Sequence, residues 1–309
     1  MSAGGGVVSE GAGETWTGTD PTARARRRCP PGERSRRERL PDGPGIRRQE
    51  GALDRPRGPL PTRVLDLPAL PAEYEEVLDA GLVALGIELD PAARSVVDGH
   101  VRILLAWNEA FNLTAIREPA AVARTHVLDS LAAAPVLRDL GISRFLDLGS
   151  GGGFPGIPLS AALGSDRVLL VDSVGKKVDF LSVVIKAVGL RTTTAAEQAR
   201  AETLARDPRD REAWPAVTAR AVASLGDLVE VALPLVAPGG VLVAWKGAAA
   251  SEEVEAAGPA LRALRAGPVR ILDAGVPGLE DHRLVIVPRA GPIEARFPRE
   301  PGERRRRPL

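Results

Sequence analysis

The stretch FLDLGSGGGFPGIPLS, Phe145 to Ser160, constrains the fold of this chain more than any other. An apolar run stops at a loop holding five glycines and two prolines, and helical spacing resumes directly behind it. Glycine without a Cβ lets backbone approach a ligand closely, and a strand–loop–helix of this kind is half of a βαβ unit. The sequence then repeats the alternation. RVLLVD reads as a strand, KKVDFLSVVIKAVGL as a helix ending at Gly189, RTTTAA and AVTARAVA as further strands. LGDLVEVALPLV is a helix, APGG a turn and GVLVAWKG a strand, followed by a helix from Glu252 to about Arg265.

Alternating strands and helices predict a mostly parallel sheet covered on both faces. VRILDAGVP and HRLVIVPR close the pattern with no helix between them, so they form a hairpin and the last strand runs antiparallel. Residues 141–290 are therefore one α/β domain. Ahead of it, residues 69–140 place apolar side chains at helical spacing in AEYEEVLDAGLVALGI, PAARSVVDGHVRILLAWNEAFNL and EPAAVARTHVLDSLAAAPVL, and read as a helical cap. Residues 1–68 are rich in Gly, Pro, Arg and Ser without apolar periodicity, and are expected to be a disordered extension. Residues 291–309 read as a second basic tail.

Charge follows the same divisions. Residues 1–68 carry 13 basic and 9 acidic side chains, residues 69–290 carry 22 and 28, and residues 291–309 carry 6 and 3. A nucleic-acid footprint on this chain is thus a local patch or lies in the tails. Flexible arginine arms on an acidic core are expected to supply phosphate contacts. The single cysteine, Cys29, excludes an internal disulfide and a cysteine-based zinc cluster, and no metal is expected. No apolar run reaches membrane-spanning length, no secretory signal opens the chain, and Ser2 stands where myristoylation needs glycine. The expected location is the cytoplasm. Only Lys176, Lys177, Lys186 and Lys246 occur against 37 arginines, which marks these lysines as functional candidates.

Two readings compete for the glycine loop. Gly151, Gly153 and Gly156 spell G-x-G-x-x-G, with Asp172 about 20 residues on, as in dinucleotide-binding folds. The glycine that follows the strand is Gly149, however, and counting from it places Phe154 where close helix–strand packing requires a glycine. Counting Asp147, Gly149, Gly151 and Gly153 instead gives D-x-G-x-G-x-G, the loop of S-adenosylmethionine (SAM) dependent methyltransferases. A carboxylate there balances an ammonium or sulfonium, and Asp172 at the next strand end accepts from ribose hydroxyls in either reading. Hydride transfer is disfavoured, because Tyr74 lies outside the α/β domain and His282 is its only histidine.

WNEAFNLTAI, RTHVLDSLAAAP, FLDLGSGGGFPGIPLS, LLVDSVGKKVDFL, TARAVASL and LVAWKG, in that order between about residues 75 and 289, resemble the RsmG (GidB) family of bacterial 16S ribosomal RNA guanine-N7 methyltransferases. The resemblance implies a Rossmann-like class I SAM-dependent methyltransferase domain, a seven-stranded sheet with an antiparallel last strand behind a helical N-terminal part. It also implies SAM as cofactor, and 16S ribosomal RNA or the small-subunit particle as partner of a monomeric enzyme without membrane attachment. Its SAM contacts carry over to Gly149, Phe154, Ala201, Glu202 and Arg220, beside Asp147, Gly151, Gly153 and Asp172 from the loop and strand ends.

Guanine N7 has an in-plane lone pair and no proton to lose, so methyl transfer to it needs alignment rather than a general base. Donors suit the N7 and O6 edge, which makes Arg200, Arg220 and Lys246, near strand ends, candidates for base or RNA contact. Asn112 in FNLT is a further candidate, with turn capping as the alternative. His126 is read as a link between cap and core, and Trp107 and Trp245 as core or RNA-stacking side chains. Lys176 and Lys177 open a helix, where cations gain nothing from the helix dipole, which favours a ligand role. The alternatives are a SAM enzyme of another substrate, a nucleotide-binding oxidoreductase and a non-catalytic RNA-assembly factor.

Overall fold

The structure, a computed structural model, describes residues 59–309, and all but the last ten residues of the expected 1–68 extension lie outside them. The helical part opens with α1 (Ala72–Leu85), which Gly86 ends in the left-handed conformation. α2 (Pro91–Asn108) begins on an Asp90 carboxylate that accepts from Ala93 N at 2.7 Å, with proline at its first position. α3 (Pro119–Val122) runs into a π-helical stretch, Ala123–Leu128, then α4 (Asp129–Leu131) and α5 (Ala134–Asp139).

The α/β part follows as β1 (Arg144–Leu148), α6 (Gly156–Leu163), β2 (Arg167–Asp172), α7 (Gly175–Ala187), β3 (Thr194–Gln198), α8 (Ala201–Leu204), β4 (Trp214–Arg220) and α9 (Leu225–Ala232). It ends with β5 (Val236–Lys246), α10 (Ala250–Ala256), α11 (Gly258–Ala263), β6 (Arg270–Asp273), β7 (Arg283–Pro288) and α12 (Pro301–Arg306). The seven strands lie in the order β3-β2-β1-β4-β5-β7-β6. β7 alone is antiparallel, to β5 on one side and β6 on the other. The expected terminal hairpin is present, and its second strand inserts between β5 and β6. Details shift: β3 starts later than RTTTAA suggests, and the APGG turn is taken into β5 with a register irregularity opposite Trp214 and Ala216.

Strands such as FLDL and VLVAW are near-continuous apolar runs because the sheet is buried on both faces. One face carries the core shared by α1, α2, α6 and α7, with Tyr74, Phe145, Phe154 and Phe180 buried. The other carries α8 to α11 against Trp214, Leu242 and Val287. The cap is thus a layer of the main core rather than a separate lobe.

The described parts of both expected tails are packed against the body of the protein. Residues 59–68 pack on α2, where Trp107 Nε1 donates to Pro61 O at 2.8 Å and Arg102 donates to Leu67 O. Residues 291–309 are not a loose arm. Phe297 is 1% exposed, and Arg211 Nη1 donates to its carbonyl at 2.8 Å. Arg299 and Glu230 form an ion pair at 2.7 Å, both side chains nearly buried. A few well-placed apolar and charged groups anchor this segment despite its composition.

Candidate active site

Loops following β1, β2, β3 and β4 enclose a cleft of about 430 Å³, a volume that suits a nucleoside-sized ligand. Ligands in open α/β sheets bind along this carboxyl edge. Gly149 lines the cleft at φ +74°, and a Cβ on it would stand 2.8 Å from Val222 Cγ2. Asp172 also lines it. Its Oδ2 accepts from Gly151 N at 3.0 Å and its Oδ1 from Val174 N at 2.9 Å, which ties the two loops together; Lys177 Nζ stands 3.6 Å away. Ala201 and Glu202 form the far end, where Arg304 donates to Glu202. Arg200 lies exposed on the rim, with no side-chain partner among the described residues.

Other expected cofactor residues serve the cleft indirectly. Asp147 does not face it. This carboxylate is fully buried, accepting from Thr218 Oγ1 at 2.8 Å and Gly156 N at 3.2 Å, and burial raises its pKa to about 6. It holds β1 to β4 and to the start of α6. Gly153, at φ +91°, turns toward α2, where a Cβ would lie 2.8 Å from His100 Nε2. His100 needs that space, since its Nε2 bonds Gly152 O at 2.7 Å and so clamps the loop. Burial holds the pKa of His100 down near 4, so the imidazole is neutral. The Phe154 ring is buried against His100 and stacks on His126 at 4.9 Å between centroids.

A second cleft of about 430 Å³ lies on the other side of the β4–α9 loop, and both clefts share Ala221. Ala221 is held at φ +55°, a strained conformation for a residue with a Cβ and typical of functional loops. Arg220 lines the second cleft rather than the first. Its Nη1 donates to Asp129 Oδ2 at 2.9 Å and to Thr125 O at 3.0 Å, and its Nη2 donates to His126 Nδ1 at 3.3 Å. His282 Nδ1 bonds the other Asp129 oxygen at 2.8 Å. The π-helical register contributes here, because Asp129 N–H bonds Arg124 O instead of Thr125 O. Single π turns are frequent at functional sites for this kind of reason.

His126 is the cap-to-core link expected of it. Its Nε2 bonds Thr114 Oγ1 at 2.7 Å while Nδ1 accepts from Arg220, and burial, then the Arg220 charge, lower its pKa to about 4. Trp245 is a core side chain whose indole N–H donates to Asp129 O at 2.7 Å. Lys246 is neither solvated nor free: its ammonium binds Glu253 at 2.7 Å and Ala223 O at 2.8 Å, bracing the loop that separates the clefts. Lys177 reaches the first cleft, whereas Lys176 sits over the Phe111 ring.

Asn112 is not brought to either cleft. It lies exposed and accepts from Arg117 at 3.3 Å, while Asn108, buried at the end of α2, orders the NLT turn by bonding Leu113 N and Thr114 N and O. No role was read for Asp129 or His282 from the sequence, and Arg304 was read only as part of a phosphate-contacting tail. A lone acid inside the apolar VLDSLAAAP run was the available signal for Asp129; Arg304, inside a run of like residues, offered none.

The cleft fits SAM on three counts: the missing Cβ at Gly149, the carboxylates of Asp172 and Glu202 in its wall, which suit a ligand rich in hydroxyl and amine donors, and the volume. Strand order, glycine loop and cleft together define a class I SAM-dependent methyltransferase. Residues 95–276 match the family described as rRNA small subunit methyltransferase G (GidB), and the chain belongs to that family. The relative bearing that description in Chloroflexus aggregans is 41% identical over 76% of this chain and 98% of its own length. The one in Bacillus pumilus is 35% identical over the same shares. Among solved structures, an O-methyltransferase from Bacillus cereus in complex with S-adenosylhomocysteine (SAH) aligns at 15% identity and a TM-score of 0.45, over 70% of this chain and 99% of that one. That alignment is too loose to add to the topology.

Proposed function

We propose that the protein transfers the methyl group of SAM to N7 of one guanine in 16S ribosomal RNA, acting as a monomer in the cytoplasm. The observation that carries this reading is the pair of clefts meeting at Ala221, one fitted to a nucleoside cofactor and one lined by Arg220. Among the described residues no helix is long and apolar enough to cross a membrane.

Bound SAM supplies an electrophilic methyl carbon on a sulfonium. Held in the first cleft by Gly149 and Asp172, it would pass that carbon to N7 with the methyl–sulfur bond breaking as the N7–carbon bond forms, giving SAH and a cationic base without a proton transfer. The residues present suit that chemistry. His126 is neutral and its Nδ1 is already bonded to Arg220, so it does not act as a base. Three of the five Arg220 N–H groups are used by Thr125, Asp129 and His126. The remaining two are donors for O6, the acceptor beside N7. Lys246 and Glu253 hold the Ala221–Ala223 backbone that sets the passage between the clefts. Alignment within a fixed passage is the main source of rate here.

The test is transfer of labelled methyl from SAM to small-subunit RNA lacking the modification, naked and as particles, followed by chemical cleavage at 7-methylguanine. One labelled guanine in either substrate is the expected result. Absence of label from both, or label only in protein, overturns the reading.

A further inference from the structure

The C-terminal segment ends at the wrong place for an idle tail. It is pinned by Phe297 in the core, by the Arg299–Glu230 pair, and by Arg206 and Arg211 donating to its carbonyls. These anchors carry α12 to the first cleft, where Arg304 forms part of the wall. Arg304 and Glu202 are paired with side chains 13% and 14% exposed. Only Oε1 of Glu202 takes the guanidinium, and Oε2 has no hydrogen-bond partner among the described residues. Arg304 Nε is buried beside it without a partner, and a buried donor left unmade is costly unless something completes the site. Neighbouring Arg305, Arg306 and Arg307 are exposed.

We propose that Arg304 is a positioning residue of the cofactor cleft: it fixes Glu202 so that Oε2 accepts from the exocyclic amine of a 6-aminopurine nucleoside. The C-terminal segment is then the outer wall of the adenine end and sets preference for adenine over a 6-oxo base. This rests on the SAM reading of the cleft. An ion pair held at low exposure fixes the orientation of the carboxylate, which a solvated glutamate lacks.

The test is calorimetric titration of the full chain with SAH and with S-inosylhomocysteine, whose purine carries oxygen in place of the amine. The wild type is expected to prefer SAH. Arg304→Ala should weaken SAH about tenfold and erase the preference, and Arg304→Lys should restore part of both, since a charge-assisted hydrogen bond is worth about 1.4 kcal/mol or more. Glu202→Gln should reverse the preference, because its amide bonds Arg304 through oxygen and presents a donor to the ligand. Arg305→Ala, on the exposed side, should change neither constant. Unaltered preference in Arg304→Ala overturns the inference while leaving the SAM reading intact. A wild type that binds neither nucleoside overturns the SAM reading itself.

Discussion

Arg220 and Asp129, 91 residues apart, meet at 2.9 Å with side chains 16% and 2% exposed, and so join the end of β4 to the helical part. The same carboxylate holds His282, just ahead of β7, so one acid ties the helical part to two strand ends around the second cleft. Removing one partner of such a buried pair leaves an uncompensated charge. Asp129→Ala is expected to lower unfolding free energy by about 3–5 kcal/mol, measured by urea denaturation. Asp129→Asn keeps the shape but not the charge; methyl transfer should fall at least about tenfold while SAH affinity holds, a loss of roughly 1.4 kcal/mol confined to the transition state. A parallel loss of SAH affinity would show that the two clefts are not functionally separate.

Gly149 and Gly153 belong to one motif and should respond differently to alanine. At Gly149 the added Cβ meets Val222 in the first cleft, so Gly149→Ala should impair SAH binding with a stability loss of about 1–2 kcal/mol from the left-handed conformation. At Gly153 it meets His100 and Ile157 Cδ1, the latter at 2.6 Å, so Gly153→Ala should act first on stability. Thermal melting alongside SAH titration separates the two outcomes.

Stability should fall on acidification, with opposing contributions. His100 and His126 have native pKa values near 4, below the unfolded value of about 6.5, so the unfolded chain binds more protons between those limits and stability is lost as pH falls through them. Asp147, raised to about 6 from about 3.9 unfolded, does the reverse: the native state takes up its proton first, which adds stability as pH falls from 6 toward 4. Asp147→Asn removes the offset and should steepen the acid loss, read from denaturation curves at a series of pH values. An unchanged slope would place the proton uptake elsewhere.

Arg200, exposed on the rim and without a side-chain partner among the described residues, is suited to a phosphate. Arg200→Ala should weaken RNA binding and lower the slope of log K against log salt by about one, with SAH affinity unchanged. Lys246→Ala should instead leave the salt slope alone and lower kcat, because it frees the Ala223 carbonyl that braces the passage. Binding isotherms at several salt concentrations and steady-state kinetics distinguish them.

Much of this was legible from local chemistry. The glycine loop, the apolar strand runs and the two closing strands without a helix between them specify the βα alternation and the antiparallel end, because strand burial and glycine backbone freedom act over a few residues. Gly149, Asp172, Ala201 and Glu202 line one cleft; the glycine loop and strand end pointed to the first two, and only the family resemblance pointed to Ala201 and Glu202. The side chain of Asp147 was not legible: a strand position says little about which buried donors, here Thr218 and Gly156, will claim a carboxylate. Asn112 was a candidate by its place in FNLT, yet the residue that bonds this turn is Asn108, which the packing at the end of α2 decides. The pairing of Asp129 with Arg220 and His282, the division into two clefts at Ala221, and the return of Arg304 to Glu202 depend on partners 91, 153 and 102 residues apart. Local sequence determined the elements and the cofactor loop; only tertiary packing decided which charges meet, because those contacts form between chain segments that share no local pattern.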